Sequence, residues 1–151
     1  MGAVIDSTCL FCRIGAGDVA PHQIFATQRV VAFLDIHPIR EGHVLIIPRQ
    51  HFAYFDSVPV EVAGEMLQVG QRLAPVLRRL YGVPRVAFLF AGADIPHAHA
   101  HVVPMVETTD ITSTRYIVER PLTFQEAMRA PEGKLARVAA RIKQAMEGND
   151  V

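Results

Sequence analysis

The chain has no excess of charge of either sign. Its 15 Lys and Arg balance 15 Asp and Glu, for a formal net charge of zero over 151 residues. That balance gives no electrostatic footprint for holding DNA, RNA or an acidic membrane surface. An anionic ligand would have to be gripped by local devices: histidines, backbone amides, or a loop or helix terminus. No apolar run reaches the roughly 20 residues of a membrane span. The opening Met1-Gly2-Ala3-Val4-Ile5-Asp6-Ser7 is too short and polar for the apolar region of a signal peptide, and Asp6 stands where a myristoylation signal has Ser or Thr. Internal repeats and low-complexity segments are absent. Cysteine is scarce, with two in the chain. These absences lead us to expect a cytoplasmic protein with no nucleic-acid and no membrane partner.

Half of the residues are hydrophobic, enough for a core, and one domain over residues 1–151 is expected. Three of the seven histidines fall at every second position in Pro96-His97-Ala98-His99-Ala100-His101-Val102-Val103-Pro104. On an extended strand, residues two apart share a face, about 6.5–7 Å per step. His97, His99 and His101 then line one side, with Ala98, Ala100 and Val102 on the other. Three adjacent imidazoles are poor packing material, because they repel one another once charged. They suit an anion, a metal, or both.

The rest of the chain reads as α+β. Cys9–Ile14 is compact and apolar, closed by Gly15-Ala16-Gly17-Asp18, and predicts a short helix or turn. Short strands are expected at 23–27 and 30–36 around a turn at Gln28-Arg29, and a third at 43–48 ended by Pro48. Val62, Met66, Val69, Leu73, Val76 and Leu80 recur every three or four residues, the apolar stripe of a long helix over 58–81. Ser57 is its expected N-cap and Gly82 its stop, and Pro75 predicts a kink or break. A strand at 85–90, a turn at 91–94 and the histidine strand follow. Residues 106–114 read as loop, 122–128 as a helical turn, and 133–146 as a terminal helix.

A neutral imidazole is already a nucleophile near pH 7. One ring nitrogen must be held by a hydrogen bond so that the other points at its target, and a nearby backbone carbonyl can do this. Phosphorus is the natural electrophile. Attack yields a phosphohistidine that water then hydrolyses, which splits one hard step into two. Flanking histidines can stabilise charge developing on the phosphate oxygens. Gly92 allows close backbone approach, with the amides of Ala93 to Ile95 as donors. His-x-His on a strand is also a zinc-ligand pattern, so these residues alone leave a metal hydrolase open. Cys9-x-x-Cys12 can supply two thiolates for tetrahedral zinc and reads as metal-binding or redox before structural disulfide. His22 and His37 are expected to face solvent.

The run His97-Ala98-His99-Ala100-His101-Val102-Val103 resembles the signature of the histidine triad family, His-φ-His-φ-His-φ-φ with φ hydrophobic. Further stretches resemble that family in order. Cys9-Leu10-Phe11-Cys12-Arg13-Ile14 is similar to its N-terminal segment. Phe33-Leu34-Asp35-Ile36-His37-Pro38 is similar to its nucleotide-binding strand and turn. Gly42-His43-Val44-Leu45-Ile46-Ile47-Pro48-Arg49-Gln50-His51 is similar to its next strand, and Ala91-Gly92-Ala93-Asp94-Ile95-Pro96 to the run entering the triad. The resemblance covers about residues 9–105 and leaves 106–151 as a helical tail.

The resemblance implies a five-stranded, mostly antiparallel sheet with one long helix and a C-terminal helix. It implies a nucleotide hydrolase or transferase that attacks the α-phosphate of purine nucleotides, with an adenosine phosphoramidate as first expected substrate. A dinucleoside polyphosphate hydrolase or phosphorylase is the enzymatic alternative, and a nucleotide-binding regulator with negligible turnover the non-enzymatic one. By the same resemblance His99 is the nucleophile, the His97 carbonyl orients it, and His101 contacts phosphate. Asp35 binds the ribose hydroxyls, and Leu10, Phe11, Ile14, Phe33, Leu34 and Ile36 wall the base. His43, Ala93, Asp94 and Ile95 complete the expected substrate contacts. At Ala93 the family usually has Gln or Ser, which touches the phosphate or the leaving group, so rate and leaving-group preference are expected to differ here. For zinc, His51 and His97 join Cys9 and Cys12, as in some bacterial members and the related galactose-1-phosphate uridylyltransferases. The Hint-like branch also implies a homodimer, joined across the long helices and the strand before the triad.

Overall fold

A computed structural model describes residues 6–91, 95–107, 110–111 and 128–148. In chain order it contains α1 (Leu10–Ala16), β1 (Gln23–Ala26), β2 (Val30–Leu34), β3 (Val44–Pro48), α2 (Val60–Tyr81), β4 (Arg85–Phe90), β5 (Ala100–Met105) and α3 (Glu132–Glu147). The strands form one sheet in the order β1-β2-β3-β5-β4, with every neighbouring pair antiparallel. The expected α+β fold is the one found. The helical turn expected at 122–128 falls, except for Met128, outside the described residues.

Both β2 and β3 are buried at every position, because each face of the sheet is covered by something different. Alternation assigns the residues. Ala32, Leu34, Val44, Ile46, Ala100 and Val102 point to one side, where they pack with Met66, Leu73 and Leu77 of α2 and Ile142 of α3. Val31, Phe33, Leu45 and Ile47 point to the other, where Cys9, Phe11, Cys12 and Ile14 of the α1 segment cover them. α1 is only 7 residues long and shields part of that face, which leaves room for a cavity over the remainder.

The apolar stripe of α2 is buried at Met66, Val69, Leu73 and Val76, as expected, and Gly82 ends the helix in the left-handed region at φ 60°. Its start differs. Ser57 lies in a separate 3-10 turn, Phe55–Ser57, and its hydroxyl donates to the Tyr54 carbonyl at 2.8 Å. Pro59 takes the N-cap position instead, where a missing N–H costs nothing to the helix. Pro75 does not break the helix, which continues to Tyr81. The local cost of about 3 kcal/mol is offset because Leu73, Val76 and Leu77, on both sides of it, are fully buried against the sheet.

β5 begins at Ala100, later than expected. Its pairing with β3 stops at Ile46↔Ala100. Before that point the backbone groups have other partners: the Ala98 N–H donates to the Phe52 carbonyl at 2.6 Å, and the His97 ring reaches the Pro48 carbonyl at 2.9 Å. The same end of β3 receives α1. A Cβ on Gly15 would stand 2.9 Å from the Arg49 carbonyl oxygen, so only glycine lets α1 seat this closely. Arg49 Nη1 then donates to the Gly15 carbonyl at 2.6 Å. No helix among the described residues is long and apolar enough to cross a membrane.

Candidate functional site

Although the strand begins late, alternation persists through the histidine run. Ala98, Ala100 and Val102 enter the core under the helices, while the rings of His99 and His101 meet on the opposite side with centroids 5.0 Å apart. His99 Nδ1 lies 2.7 Å from the His97 carbonyl oxygen. A carbonyl only accepts, so Nδ1 carries the proton and Nε2 keeps its lone pair. Phe11 of α1 stands edge-on to this ring, centroids 5.4 Å apart, and restricts its swing.

Behind His101 runs a buried chain of polar groups. The Ile39 N–H donates to His43 Nδ1 at 3.1 Å. That bond places the His43 proton on Nε2, which lies 2.9 Å from His101 Nδ1 and 3.7 Å from an Asp35 carboxylate oxygen. His101 accepts at Nδ1 and is left with a proton on Nε2, a donor suited to an anion. Asp35, His43 and His101 bring potential ligand atoms within 4.8 Å of one another, but both nitrogens of His43 are committed to hydrogen bonds, so the trio works as a hydrogen-bond chain and not as a metal site.

His43 is 2% exposed. Burial lowers it from the usual 6.5 to about 4, only partly opposed by Asp35, with His101 and His99 adding to the lowering. Burial also lowers His101, aided by His99 and opposed by Asp35 and the Ala91 carbonyl. Between pH 6.5 and about 4 the unfolded chain therefore binds a proton at His43 that the folded chain refuses, and this group makes stability fall as pH falls through that window. The drop in denaturant midpoint from pH 7 to pH 5 is expected to be smaller in His43→Gln than in the wild type. Equal drops would contradict a buried neutral His43.

The main cavity, about 760 Å³, opens beside His99 and His101. Leu10, Phe11, Ile14, Phe33, Leu34, Asp35, Ile36 and Ile95 all border it, so the apolar set read from two separate stretches meets in one place beside Asp35 and Ile95. Leu34 does so while packing its side chain into the core beneath the helices. His43 stays behind His101 and lines only a crevice of about 60 Å³ on the other side of Asp35. Ala93 and Asp94 lie outside the described residues. A second cavity, about 360 Å³, borders His99 together with Tyr54, Phe55 and Phe90.

Several lining residues were not expected. His37 is exposed, as expected, while bordering the main cavity; His22, also expected to face solvent, is half-buried there, and Arg129 and Glu132 from the tail border the same cavity. His22 Nε2 lies 2.7 Å from a Glu132 carboxylate oxygen, its side chain 18% exposed. No local pattern around His22 carries that information, because its partner comes from the far end of the chain.

On the side of His97 away from the cavity, four ligand-type groups converge. Cys9 and Cys12 open α1, His51 follows β3, and His97 precedes β5; one ligand atom of each lies within 4.8 Å of the others. Cys9 Sγ is 3.4 Å from His97 Nδ1, Cys12 Sγ is 3.6 Å from the same nitrogen, and Cys12 Sγ is 3.2 Å from His51 Nδ1. A tetrahedron with Zn–S of about 2.3 Å and Zn–N of about 2.05 Å has S–N edges of about 3.6 Å. The spacing therefore fits a tetrahedral ion. The second nitrogen of His97, Nε2, donates to the Pro48 carbonyl at 2.9 Å, which leaves Nδ1 unprotonated and facing both sulfurs. Burial lowers His97 to about 4, with the Pro48 carbonyl opposing, and burial raises the Cys12 thiol. In such surroundings a thiol surrenders its proton most readily to a metal. These four side chains form a group that can hold a metal ion.

The family model of the HIT domain matches residues 17–108. An uncharacterized HIT-like protein of Methanocaldococcus jannaschii is 30% identical over 103 residues, which span 66% of this chain and 80% of that protein. Adenosine 5'-monophosphoramidase HNT1 of Saccharomyces cerevisiae is 33% identical over 103 residues, spanning 68% of this chain and 65% of the yeast protein. Among solved structures, a zinc-bound histidine triad family protein from Mycobacterium smegmatis superposes with a TM-score of 0.72 at 25% identity, covering 95% of this chain and 96% of that one. A hypothetical histidine triad nucleotide-binding protein from Sulfolobus tokodaii shares the fold, with a TM-score of 0.73 at 20% identity over 93% of each chain.

Proposed function

Because the chain belongs to the histidine triad (HIT) family, whose members are nucleotide hydrolases and transferases, we propose that it is a Hint-like hydrolase of adenosine phosphoramidates. The observation that carries this reading is the His99 ring: its Nδ1 is tied to the His97 carbonyl at 2.7 Å, and it borders a cavity that also holds Asp35 and an apolar wall. The yeast relative bearing the name adenosine 5'-monophosphoramidase supports the choice of substrate.

In this reading the base lies among Leu10, Phe11, Ile14, Phe33, Leu34 and Ile36, and Asp35 accepts hydrogen bonds from the ribose hydroxyls. Ile95 borders the phosphate. His99 Nε2 attacks the α-phosphorus. The phosphorus–nitrogen bond to the leaving amine breaks, and the amine takes a proton from solvent water, which the water attacking in the second step returns. The imidazolium so formed keeps its Nδ1–H on the His97 carbonyl, which stabilises the charge. His101 donates from Nε2 to the phosphate oxygens, held in that tautomer by His43. Water then attacks phosphorus, the bond to Nε2 breaks, and AMP leaves with neutral His99 restored. The cavity beside Tyr54, Phe55 and Phe90 gives a leaving group room.

Zinc is the metal we assign to Cys9, Cys12, His51 and His97, and it would supply a structural cross-link with no chemistry at phosphorus. It would pin α1, which carries Phe11 and Ile14 of the base wall, to the end of β3 and the entry of β5. A homodimer through β4 and α2 is part of the same reading: β4 is an edge strand of the sheet, and α2 exposes Leu67 and Val60. Sedimentation at micromolar concentration should then show twice the 16.7 kDa chain mass, and a monomer would remove the Hint-like placement. We place the protein in the cytoplasm.

The deciding experiment supplies an adenosine phosphoramidate and diadenosine tetraphosphate to the purified protein. AMP release from the phosphoramidate at the higher kcat/KM is expected. Faster cleavage of the tetraphosphate would favour the dinucleotide hydrolase instead, and AMP binding without turnover of either would leave a nucleotide-binding regulator.

A further inference from the structure

The matched HIT domain ends at residue 108, yet the chain beyond it returns to the cavity. The Ala130 N–H donates to the Ile36 carbonyl at 2.8 Å, which docks the approach to α3 onto the turn beside Asp35. Arg129 and Glu132, on either side of that anchor, border the same cavity as Phe11, Asp35 and His99. Glu132 is held from two directions. One carboxylate oxygen is 2.7 Å from His22 Nε2, and the other accepts from Arg129 Nη2 at 3.2 Å. His22 is itself fixed, since its carbonyl accepts from the Leu34 N–H at 3.0 Å. The cavity thus has, besides its apolar wall and the His99, His101 and Asp35 side, a second polar end built from two distant parts of the chain.

We propose that this end reads the edge of the nucleobase: Glu132, positioned by His22 and Arg129, makes adenine the preferred base. The inference rests on the reading of the cavity as a nucleotide site. Adenine presents an exocyclic amine next to an unprotonated ring nitrogen. The amine donates to the Glu132 carboxylate, and the ring nitrogen accepts from the Arg129 guanidinium. Hypoxanthine inverts both groups, setting a carbonyl oxygen against the carboxylate and an N–H against the guanidinium. A site that hydrogen-bonds a substrate group rejects an analogue with the opposite polarity. Glu132 is 65% exposed on its side chain, so solvent screens the pair and the discrimination is moderate.

The test is calorimetric titration of AMP and IMP into the full chain and into Glu132→Ala and Glu132→Lys. The wild type should bind AMP about five- to tenfold more tightly than IMP. Glu132→Ala should bring the ratio to about one, and Glu132→Lys, which offers a donor to the hypoxanthine oxygen, should favour IMP. Lys134→Ala, on the same turn of α3 but outside this cavity, should keep the wild-type ratio, and circular dichroism of each variant confirms that α3 is formed. A wild-type ratio of one, or a ratio that survives in Glu132→Ala with AMP still binding, overturns this inference and leaves the hydrolase reading intact. Failure of AMP to bind the wild type overturns both.

Discussion

Replacing His99 by alanine is expected to lower phosphoramidate turnover by at least about 10⁴-fold, the scale on which a covalent nucleophile is lost. Every other group proposed for the reaction either binds the nucleotide or stabilises the additional charge that grows on its phosphate as Nε2 engages phosphorus. With the imidazole gone, His101 and the surrounding donors have no developing charge to stabilise. Water in its place lacks the fixed orientation that the His97 carbonyl, 2.7 Å away, imposes on the ring. Binding should respond differently. The base wall and Asp35 come from α1, β2 and the turn that follows, and none of these depends on the His99 ring beyond its edge contact with Phe11. AMP affinity should stay within about threefold of the wild type, since the lost contact is a single ring edge. Rapid-quench mass spectrometry should find a nucleotidyl adduct on the wild-type chain and none on His99→Ala. Turnover near the wild-type rate in the variant would sink the mechanism outright.

Removal of the metal should produce the other large effect. The purified protein is expected to carry about one zinc per chain, and Cys12→Ser close to none, by elemental analysis. Stripping zinc from the wild type with a strong chelator should lower Tm by at least about 10 °C, because structural zinc contributes its binding free energy to folding and a chain of this size shifts about 2–4 °C per kcal/mol. Fully buried Cys12 and His97 would otherwise be two polar groups held in an apolar corner. The loss should spread to the site. Phe11 and Ile14 ride on α1, so a loosened α1 weakens AMP binding as well as stability. The chelator arm matters because Cys12→Ser perturbs a buried position even without metal. No zinc in the wild type, together with an unchanged Tm on chelation, would remove the assignment.

Much of the fold was legible because local periodicity records which way side chains point. The spacing of Met66, Val69, Leu73 and Val76 marked the buried side of α2, and those four are buried. The alternation of 97–102 separated the histidines from Ala98, Ala100 and Val102 before any partner was known. Where a competing group comes from elsewhere in the chain, periodicity misleads. The strand was expected to carry all three histidines but starts at 100, because Phe52 and Pro48 take the hydrogen bonds that a longer ladder would need. Pro75 suggested a break on local grounds, and burial of its neighbours against the sheet overrode it. Ser57 looked like a cap from its position alone, but its hydroxyl turns back to Tyr54.

By itself the sequence determined the identity and order of the candidate site groups: three histidines two apart, an Asp after an apolar strand, and a Cys-x-x-Cys pair near the start. Those are properties of residue type and short spacing, which chain geometry carries over faithfully. The family resemblance already implied unequal roles for the three histidines, but only the tertiary structure supplied the partners that separate them. His97 turns to the cysteines and His51, His99 to the cavity, and His101 to His43, because the Pro48 carbonyl holds the first ring, the His97 carbonyl the second and the His43 ring the third. The tertiary structure alone also joined His22 to Glu132 and brought the tail to the mouth of the cavity. Such contacts depend on where the sheet and α3 place distant segments, and no local spacing encodes that distance.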